Sequence, residues 1–330
     1  MKRRNLIKSL SLLPFTAALP SQLFGKSTSV TNVVENGENI FRSLGVEPLI
    51  NCRGTFTIIG GSIERPEVRA AMEAAAHNFV QYDELGDAVH AKIAEVTQAE
   101  WALVSAGCAA GMKHVTAACV TGGNPEKLIC IPNLTGFEKT EVIIPAGSRN
   151  VYDHSIRNIG VTIIDVNTPE ELVKAVNKKT AMIYIMADDP ADNDAPLSLV
   201  NIVRLTKAQN IPILVDAAAE VLTIPNIHLQ RGAHMVAYSG GKAICGPQCA
   251  GFVIGQKDIL MSAWQASAPH HGPCRDNKVG REEMLGMLAA VQAWTTRDHK
   301  EEWKTWLSWL DLISKRVTKI SGISTSVFEP

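Results

Sequence analysis

The stretch 234-HMVAYSGGKAICGPQCAGFVIGQ-256 predicts two apolar strands joined by a tight turn. Residues 235–238 and 250–254 are apolar runs of the length that buried strands have. Between them, Ser239-Gly240-Gly241-Lys242 places a lysine in the turn, and the two glycines are expected to take backbone conformations that other residues avoid. A lysine held between two buried strands either extends its amine to water or has a chemical role.

A lysine amine withdrawn from water is well suited to attack a carbonyl group and form a Schiff base. We therefore expect Lys242 to carry pyridoxal 5′-phosphate (PLP) and its amine to move a proton of the substrate. The pattern Ser-x-x-Lys is a weak signal on its own, so this expectation depends on what the neighbouring strand ends contribute.

The surrounding region, residues 101–256, alternates apolar strands with helices. The strands are expected at 102–104, 128–131, 142–145, 161–166, 181–186 and 213–215, and the helices at 108–120, 168–177 and 199–209. Such alternation indicates an α/β fold with a mostly parallel sheet flanked by helices. Ligands of these sheets bind at the carboxyl ends of the strands.

Two of these strands end in residues that suit PLP. Small residues follow the strand at 102–104 and open a helix, whose free N–H groups attract a phosphate. The expected phosphate contacts are Gly107, Cys108, Ala109 and Ser239. Asp216 ends the strand at 213–215, where its carboxylate would keep a pyridine nitrogen protonated. On the residues alone, the small residues after the strand at 102–104 are also compatible with a tightly packed strand–helix junction. Asp216 is also compatible with a helix cap.

Composition excludes several classes of partner and cofactor. The chain has 330 residues, of which 46% are hydrophobic, and its formal net charge is −1. A charge near zero argues against a nucleic-acid or membrane-surface partner. Seven scattered cysteines, an odd number, do not form the regular pattern of a disulfide framework or a zinc site, so no metal is expected.

The N-terminus predicts export. Residues 1–26 combine basic Lys2-Arg3-Arg4 with an apolar stretch too short to span a bilayer comfortably. Arg3-Arg4 followed by Asn5-Leu6-Ile7-Lys8 resembles the twin-arginine motif, which predicts a periplasmic or exported protein carried by that machinery. The alternative is an amphipathic N-terminal arm on a cytoplasmic protein.

The expected organisation has four parts. Residues 1–26 are the signal peptide, 27–65 an N-terminal segment, 66–278 a PLP-binding large domain, and 279–330 a partial, mostly helical C-terminal small domain.

Five motifs together resemble one branch of the fold type I PLP-dependent enzymes. They are INCRGT at 50–55, DEL at 83–85, VDAAAE at 215–220, SGGKAI at 239–244 and GPQ at 246–248. This branch includes selenocysteine synthase (seryl-tRNA selenium transferase) and the D-glucosaminate-6-phosphate ammonia-lyases. The resemblance covers residues 44–295, and it implies the fold type I transferase fold, Lys242 as the Schiff-base lysine and Asp216 as the partner of the pyridine nitrogen.

The resemblance also implies further site residues. Active sites at the interfaces of a homodimer or higher homo-oligomer would let one subunit's residues reach the substrate or phosphate of its neighbour. The candidates for this role are Arg53, Arg275 and Lys278. His154 is the candidate for stacking on the pyridine ring, and His270 and His271 are candidates for substrate contact or proton relay.

A neutral, exported chain is a poor match for a tRNA substrate, which argues against selenium transferase activity. We expect a lyase that acts on an amino acid or amino sugar acid. It would remove the α proton, eliminate the β hydroxyl, and release ammonia and a 2-keto product. The alternatives are an amino-acid racemase, which shares the α-proton step, and a non-catalytic relative with a PLP fold.

Overall fold

The computed structural model describes residues 40–187 and 194–328. The expected signal peptide at 1–26 lies outside these residues. The chain divides into a short unit that ends at Cys52 and a main unit that begins at Arg53. In the described part of the short unit, helix α1 spans Ile40–Ser43, and an ion pair joins Arg42 to Glu47 at 2.7 Å.

A seven-stranded sheet forms the centre of the main unit. Its strands are β1 Trp101–Ser105, β2 Glu141–Pro145, β3 Thr162–Val166, β4 Thr180–Met186, β5 Ile213–Asp216, β6 Met235–Ser239 and β7 Gly251–Gly255. The spatial order is β1-β7-β6-β5-β4-β2-β3. Strands β2 to β6 pair in parallel, whereas β7 runs antiparallel to both β1 and β6. The predicted α/β fold with a mostly parallel sheet is confirmed.

Burial explains why the central strands are apolar along their whole length. Strands β5 and β7 are buried at every residue, and β4 at every residue except the last. Strand β3 lies at the edge of the sheet, and all its residues except the last are exposed or half-buried. Parallel strands covered by helices on both faces have no solvent side, so they lack the alternation that half-exposed strands show.

Helices cover the sheet and place the site. They are α2 Pro66–Ala76, α3 Tyr82–Thr97, α4 Cys108–Thr121, α5 Pro125–Leu128, α6 His154–Arg157, α7 Pro169–Ala175, α8 Leu199–Thr206, α9 Ile227–Gln230, α10 Lys257–Gln265, α11 Arg281–Thr296 and α12 His299–Val317. Helix α4 lies against five strands, β1 and β4 to β7, and α11 packs on α2 and α3. Within the described ranges, none of the helices combines the length and the apolar character that crossing a membrane requires.

One of the predicted strands is wrong. The strand expected at 128–131 is instead the end of helix α5 and a turn, because Asn124 caps a helix there by accepting hydrogen bonds from the backbone N–H groups of Glu126 and Lys127. Helix α2 ends at Ala76, and Phe79, three residues further on, is 98% exposed.

Candidate active site

The turn that carries Lys242 is held by backbone hydrogen bonds. The N–H of Gly240 donates to the carbonyl of Ala250 at 2.9 Å, and the N–H of Gly246 donates to the carbonyl of Gly240 at 2.8 Å. The two glycines do not have positive φ angles, so the prediction of an unusual backbone there is wrong. They are required by close packing instead, since a Cβ atom on Gly240 would lie 2.7 Å from the Ala250 carbonyl oxygen.

Strand pairing brings the expected phosphate contacts together at one edge of the sheet. Ser105 and Ser239, the last residues of β1 and β6, both pair with Gly251. A Cβ atom on Gly251 would lie 2.8 Å from the backbone nitrogen of Cys108, the first residue of α4. Gly251 therefore allows the N-terminus of α4 to approach the end of β6, beside the Lys242 turn.

The N-terminus of α4 is open for an anion. The preceding residue, Gly107, has a φ angle of 93°, which glycine tolerates and other residues rarely adopt. No side chain caps this end of the helix. The free N–H groups of a first helical turn attract a phosphate, and the helix dipole adds to this attraction.

Asp216 lies at the end of β5 and is 7% exposed. Its Oδ1 atom accepts hydrogen bonds from the thiol of Cys108 at 3.3 Å and from the backbone N–H of Ala218 at 3.1 Å. Its Oδ2 atom accepts a hydrogen bond from the hydroxyl of Tyr184 at 2.9 Å. A buried carboxylate requires such partners. Both lone pairs of Oδ1 are used by its two donors, whereas Oδ2 keeps one lone pair for a further donor.

Electrostatics connect Lys242 to the same group of residues. Burial and the Asp216 carboxylate raise the pKa of Cys108 well above its usual value, and the positive charge of Lys242 opposes that rise. The Cys108 thiol therefore stays protonated as a donor. The Lys242 amine makes no hydrogen bond or ion pair with the part of the chain that the structure describes, and its side chain is half-buried.

Sequence reasoning missed Tyr184 and Asn150. Tyr184 is fully buried in β4, and its hydroxyl accepts a hydrogen bond from the Asn150 side chain at 2.9 Å while it donates to Asp216. The available signal was a tyrosine inside the otherwise apolar run 181–186, because a buried tyrosine hydroxyl needs a partner. The identity of that partner could not be read from the sequence.

His154 lies at the start of α6, and its side chain is exposed. Its Nδ1 atom is 2.8 Å from the carbonyl of Val151, to which it donates. The loop before it is fixed by the buried Asp153, which accepts hydrogen bonds from Arg149 and Arg157. Burial alone would raise the pKa of Asp153, but these two hydrogen bonds outweigh it and lower the pKa. The described contacts do not join His154 to Asp216 or Lys242, and its stacking role stays a prediction.

The candidate substrate residues lie in two further segments. Arg275 and Lys278 are exposed beside the short 3₁₀ turn Arg275–Asn277. That turn is tied to α4 by the buried Lys113, whose amine contacts the Asp276 carboxylate at 2.7 Å. The guanidinium of Arg53 lies 5.1 Å from the centre of the Phe56 ring. Their roles toward substrate stay predictions.

The two candidate histidines have different surroundings. His270 contacts the main-chain carbonyl of Trp264 through Nδ1 at 3.1 Å and the carboxylate of Asp83 through Nε2 at 3.4 Å. His271 is exposed. For both, a role with substrate stays a prediction.

The donor set at this edge of the sheet fits PLP. An uncapped helix N-terminus suits a phosphate, a buried carboxylate with a free lone pair suits a protonated ring nitrogen, and a half-buried lysine suits an aldehyde carbon. The fold and the site together define a PLP-dependent enzyme of fold type I.

The chain belongs to the aminotransferase class-V family, whose model matches residues 77–270. It is 29% identical over 300 residues to the D-glucosaminate-6-phosphate ammonia lyase of Salmonella typhimurium, covering 88% of this chain and 78% of that protein. It is 28% identical over 299 residues to a 5′-C-glycyluridine monooxygenase-decarboxylase of a Streptomyces species, covering 86% of this chain and 72% of that one.

Structural comparison agrees with the sequence matches. The solved structure of a D-glucosaminate-6-phosphate ammonia-lyase superposes with a TM-score of 0.72 at 30% identity. The match covers 79% of this chain and 71% of that chain. Family membership implies PLP as the cofactor, so the cofactor and the fold type that the sequence predicted are confirmed.

Proposed function

We propose that this protein is a PLP-dependent ammonia-lyase acting on a 2-amino-3-hydroxy acid of the amino sugar acid type. The observation that carries the proposal is the meeting of the Lys242 turn, the Asp216 carboxylate and the open N-terminus of α4 at one edge of the sheet. The similarity to an ammonia lyase in both sequence and structure supports this reaction over the racemase and non-catalytic alternatives.

Each residue has a distinct role in this proposal. The backbone N–H groups that begin α4, at Cys108 and Ala109, and the hydroxyl of Ser239 bind the phosphate of PLP, and Gly107 lets the chain enter the helix. The Lys242 amine would hold PLP and, once the substrate amine takes its place, would accept the proton from the substrate α carbon. Asp216 holds a proton at the pyridine nitrogen. Bound PLP supplies the electron sink that makes the α proton acidic.

The overall reaction balances without an oxidant. The α C–H bond breaks and its proton goes to Lys242, and the β hydroxyl then leaves as water. The released enamine tautomerises to an imine, which moves a proton from its nitrogen to the β carbon. Hydrolysis of the imine takes up one water and releases the nitrogen as ammonia. The product is a 2-keto acid with a CH₂ group where the hydroxyl stood, and the carbon skeleton is unchanged.

Incubation of the purified, PLP-loaded protein with D-glucosaminate-6-phosphate and a panel of hydroxy amino acids tests this proposal. Ammonia and the 2-keto acid should form in equal amounts, and Lys242→Ala should abolish both. Lys257→Ala is the matched control, because Lys257 lies over the Trp101 ring and outside the proposed site. Racemised substrate without ammonia, or oxygen-dependent loss of CO₂, would contradict the lyase assignment.

We also propose that the protein is a homodimer or higher homo-oligomer, with Arg53, Arg275 and Lys278 near the substrate of the same or a neighbouring subunit. Exposed apolar side chains support association. Phe79 is 98% exposed, Ile63 86% and Ile58 81%. Large contiguous apolar patches on a folded surface typically mark an interface, and these side chains are the ones we propose to form it.

Export through the twin-arginine machinery and a periplasmic location are likewise our proposals, supported by the arginine pair at residues 3 and 4. A reporter fused to residues 1–39 should be exported, and replacement of both arginines by lysine should keep it in the cytoplasm. Equal export of both fusions would contradict the proposal.

A further inference from the structure

A hydrogen-bond chain reaches Asp216 from the loop that carries His154. Asn150 begins this chain in the loop after β2, Tyr184 in β4 continues it, and the Asp216 carboxylate ends it. Tyr184 and Asp216 lie on the same face of the sheet, because Met186, two residues after Tyr184, pairs with Asp216.

The partners of Asn150 fix the direction of its amide group. Its side-chain Oδ1 accepts from the backbone N–H of Tyr152 at 2.8 Å, and its Nδ2 donates to the backbone carbonyl of Ser148 at 3.0 Å. A backbone N–H can only donate and a backbone carbonyl can only accept, so the amide cannot be turned around. The Nδ2 group therefore donates to the Tyr184 oxygen.

This direction determines the proton of Tyr184. Its oxygen already accepts from Asn150, so the hydroxyl proton is directed at Oδ2 of Asp216. Burial and the adjacent Asp216 carboxylate raise the pKa of Tyr184 above its usual value, which keeps that proton on the hydroxyl.

The two oxygens of Asp216 are held unequally. Oδ1 accepts from the Cys108 thiol and the Ala218 N–H, whereas Tyr184 is the donor to Oδ2 within the described ranges. Loss of the Tyr184 hydroxyl would leave a buried carboxylate oxygen without a protein donor and free the carboxylate to rotate. Loss of this donor raises the free energy of the folded protein where no water replaces the hydroxyl.

We propose that Tyr184 and Asn150 are positioning residues for Asp216, which fix the carboxylate for the pyridine nitrogen of PLP and connect it to the loop of His154. The inference rests on PLP binding, on which the proposed function also depends, but not on the substrate.

Substrate-free measurements on the full chain test the inference. Tyr184→Phe should weaken PLP binding about tenfold, the value of one hydrogen bond to a charged group. It should also raise, by about half a unit, the pH at which the absorbance band of bound PLP is half converted. A ring proton that is held less firmly withdraws less charge from the lysine–PLP linkage, so the linkage becomes more basic. Asn150→Ala should act in the same direction but more weakly.

The double variant and a matched control separate positioning from packing. Tyr184→Phe/Asn150→Ala should equal Tyr184→Phe alone, since Asn150 acts through the missing hydroxyl. Tyr238→Phe is the control: Tyr238 is also a buried strand tyrosine that accepts from an asparagine, Asn226, at 2.6 Å, and it has no described hydrogen bond to Asp216. It should leave affinity and midpoint unchanged.

Three results would overturn the inference. They are an unchanged midpoint and affinity in Tyr184→Phe, additive effects in the double variant, or an equal effect in Tyr238→Phe. Wild-type protein that binds PLP but releases no ammonia would contradict only the proposed function. Wild-type protein that binds no PLP would contradict both.

Discussion

At the scale of single residues, the Cys108 thiol acts as a donor to Asp216 because burial and the carboxylate raise its pKa well above the usual value. Cys108→Ser keeps a donor and should retain PLP affinity, whereas Cys108→Ala should weaken PLP binding severalfold. Titration of the apo-protein with PLP measures both. Equal PLP affinities in Cys108→Ser and Cys108→Ala would contradict a role of the Cys108–Asp216 hydrogen bond in PLP binding.

Two buried histidines make stability depend on pH. Burial lowers the pKa of His90 to about 3 and that of His114 to about 4, both from an unfolded value of 6.5. The unfolded chain therefore binds more protons below 6.5, and stability is highest above that pH and falls as the pH drops. Between 6.5 and about pH 5, each histidine should remove about 1.5 kcal/mol from the free energy of unfolding.

Denaturant unfolding at several pH values measures this loss, and His90→Gln should make it smaller. Above about pH 7.5 both histidines are neutral in either state, so the curves for variant and wild type should run parallel there. A variant that loses stability on acidification as steeply as wild type would contradict the assignment to His90.

The residue scale also shows what the sequence can predict. Lys242 and Asp216 stand out because a turn between two apolar strands and the end of a buried strand are local patterns. The contact between Tyr184 and Asp216 joins residues 32 positions apart, and that between Cys108 and Asp216 joins residues 108 positions apart. Such contacts depend on strand order, which one sequence does not specify.

At the scale of elements, the site depends on the close approach of α4 to the end of β6. Gly251→Ala would place a Cβ atom 2.6 Å from the carbonyl oxygen of Tyr238 and 2.7 Å from the carbonyl carbon of Gly107. We expect the shift of α4 to cost about 2 kcal/mol of stability and to weaken PLP binding.

Thermal unfolding and PLP titration check this expectation. Gly147→Ala is the matched control, because a Cβ atom on Gly147 would meet nothing within 4 Å. If Gly251→Ala behaved like Gly147→Ala in both measurements, the proposed contact between α4 and the sheet would not matter for the site.

Helices were predictable where the spacing of apolar residues and the capping residues indicate the same helix. Thr168 accepts from the backbone N–H of Glu171 at 3.2 Å, as the capping pattern predicts, and helix α7 follows. The strand expected at 128–131 is not formed because Asn124-Pro125 begins a helix that ends at Leu128, and a turn follows. The boundary at 279 between a large and a small domain stays a prediction; α11, which begins just after it, packs on α2 and α3.

At the scale of the whole molecule, the exposed apolar side chains predict self-association. Phe79→Lys should shift the protein toward a smaller species in light-scattering chromatography, because a charge at a buried interface is not solvated. A single monomeric species in the wild type would contradict the prediction.

The proposed activity depends on Lys242 as the residue that holds PLP. Borohydride reduction of the PLP-loaded protein fixes the lysine–PLP linkage, and peptide mass spectrometry then identifies the modified residue. We predict stoichiometric modification of Lys242, with none in Lys242→Ala. Modification of another lysine, or no modification after incubation with excess PLP, would contradict it.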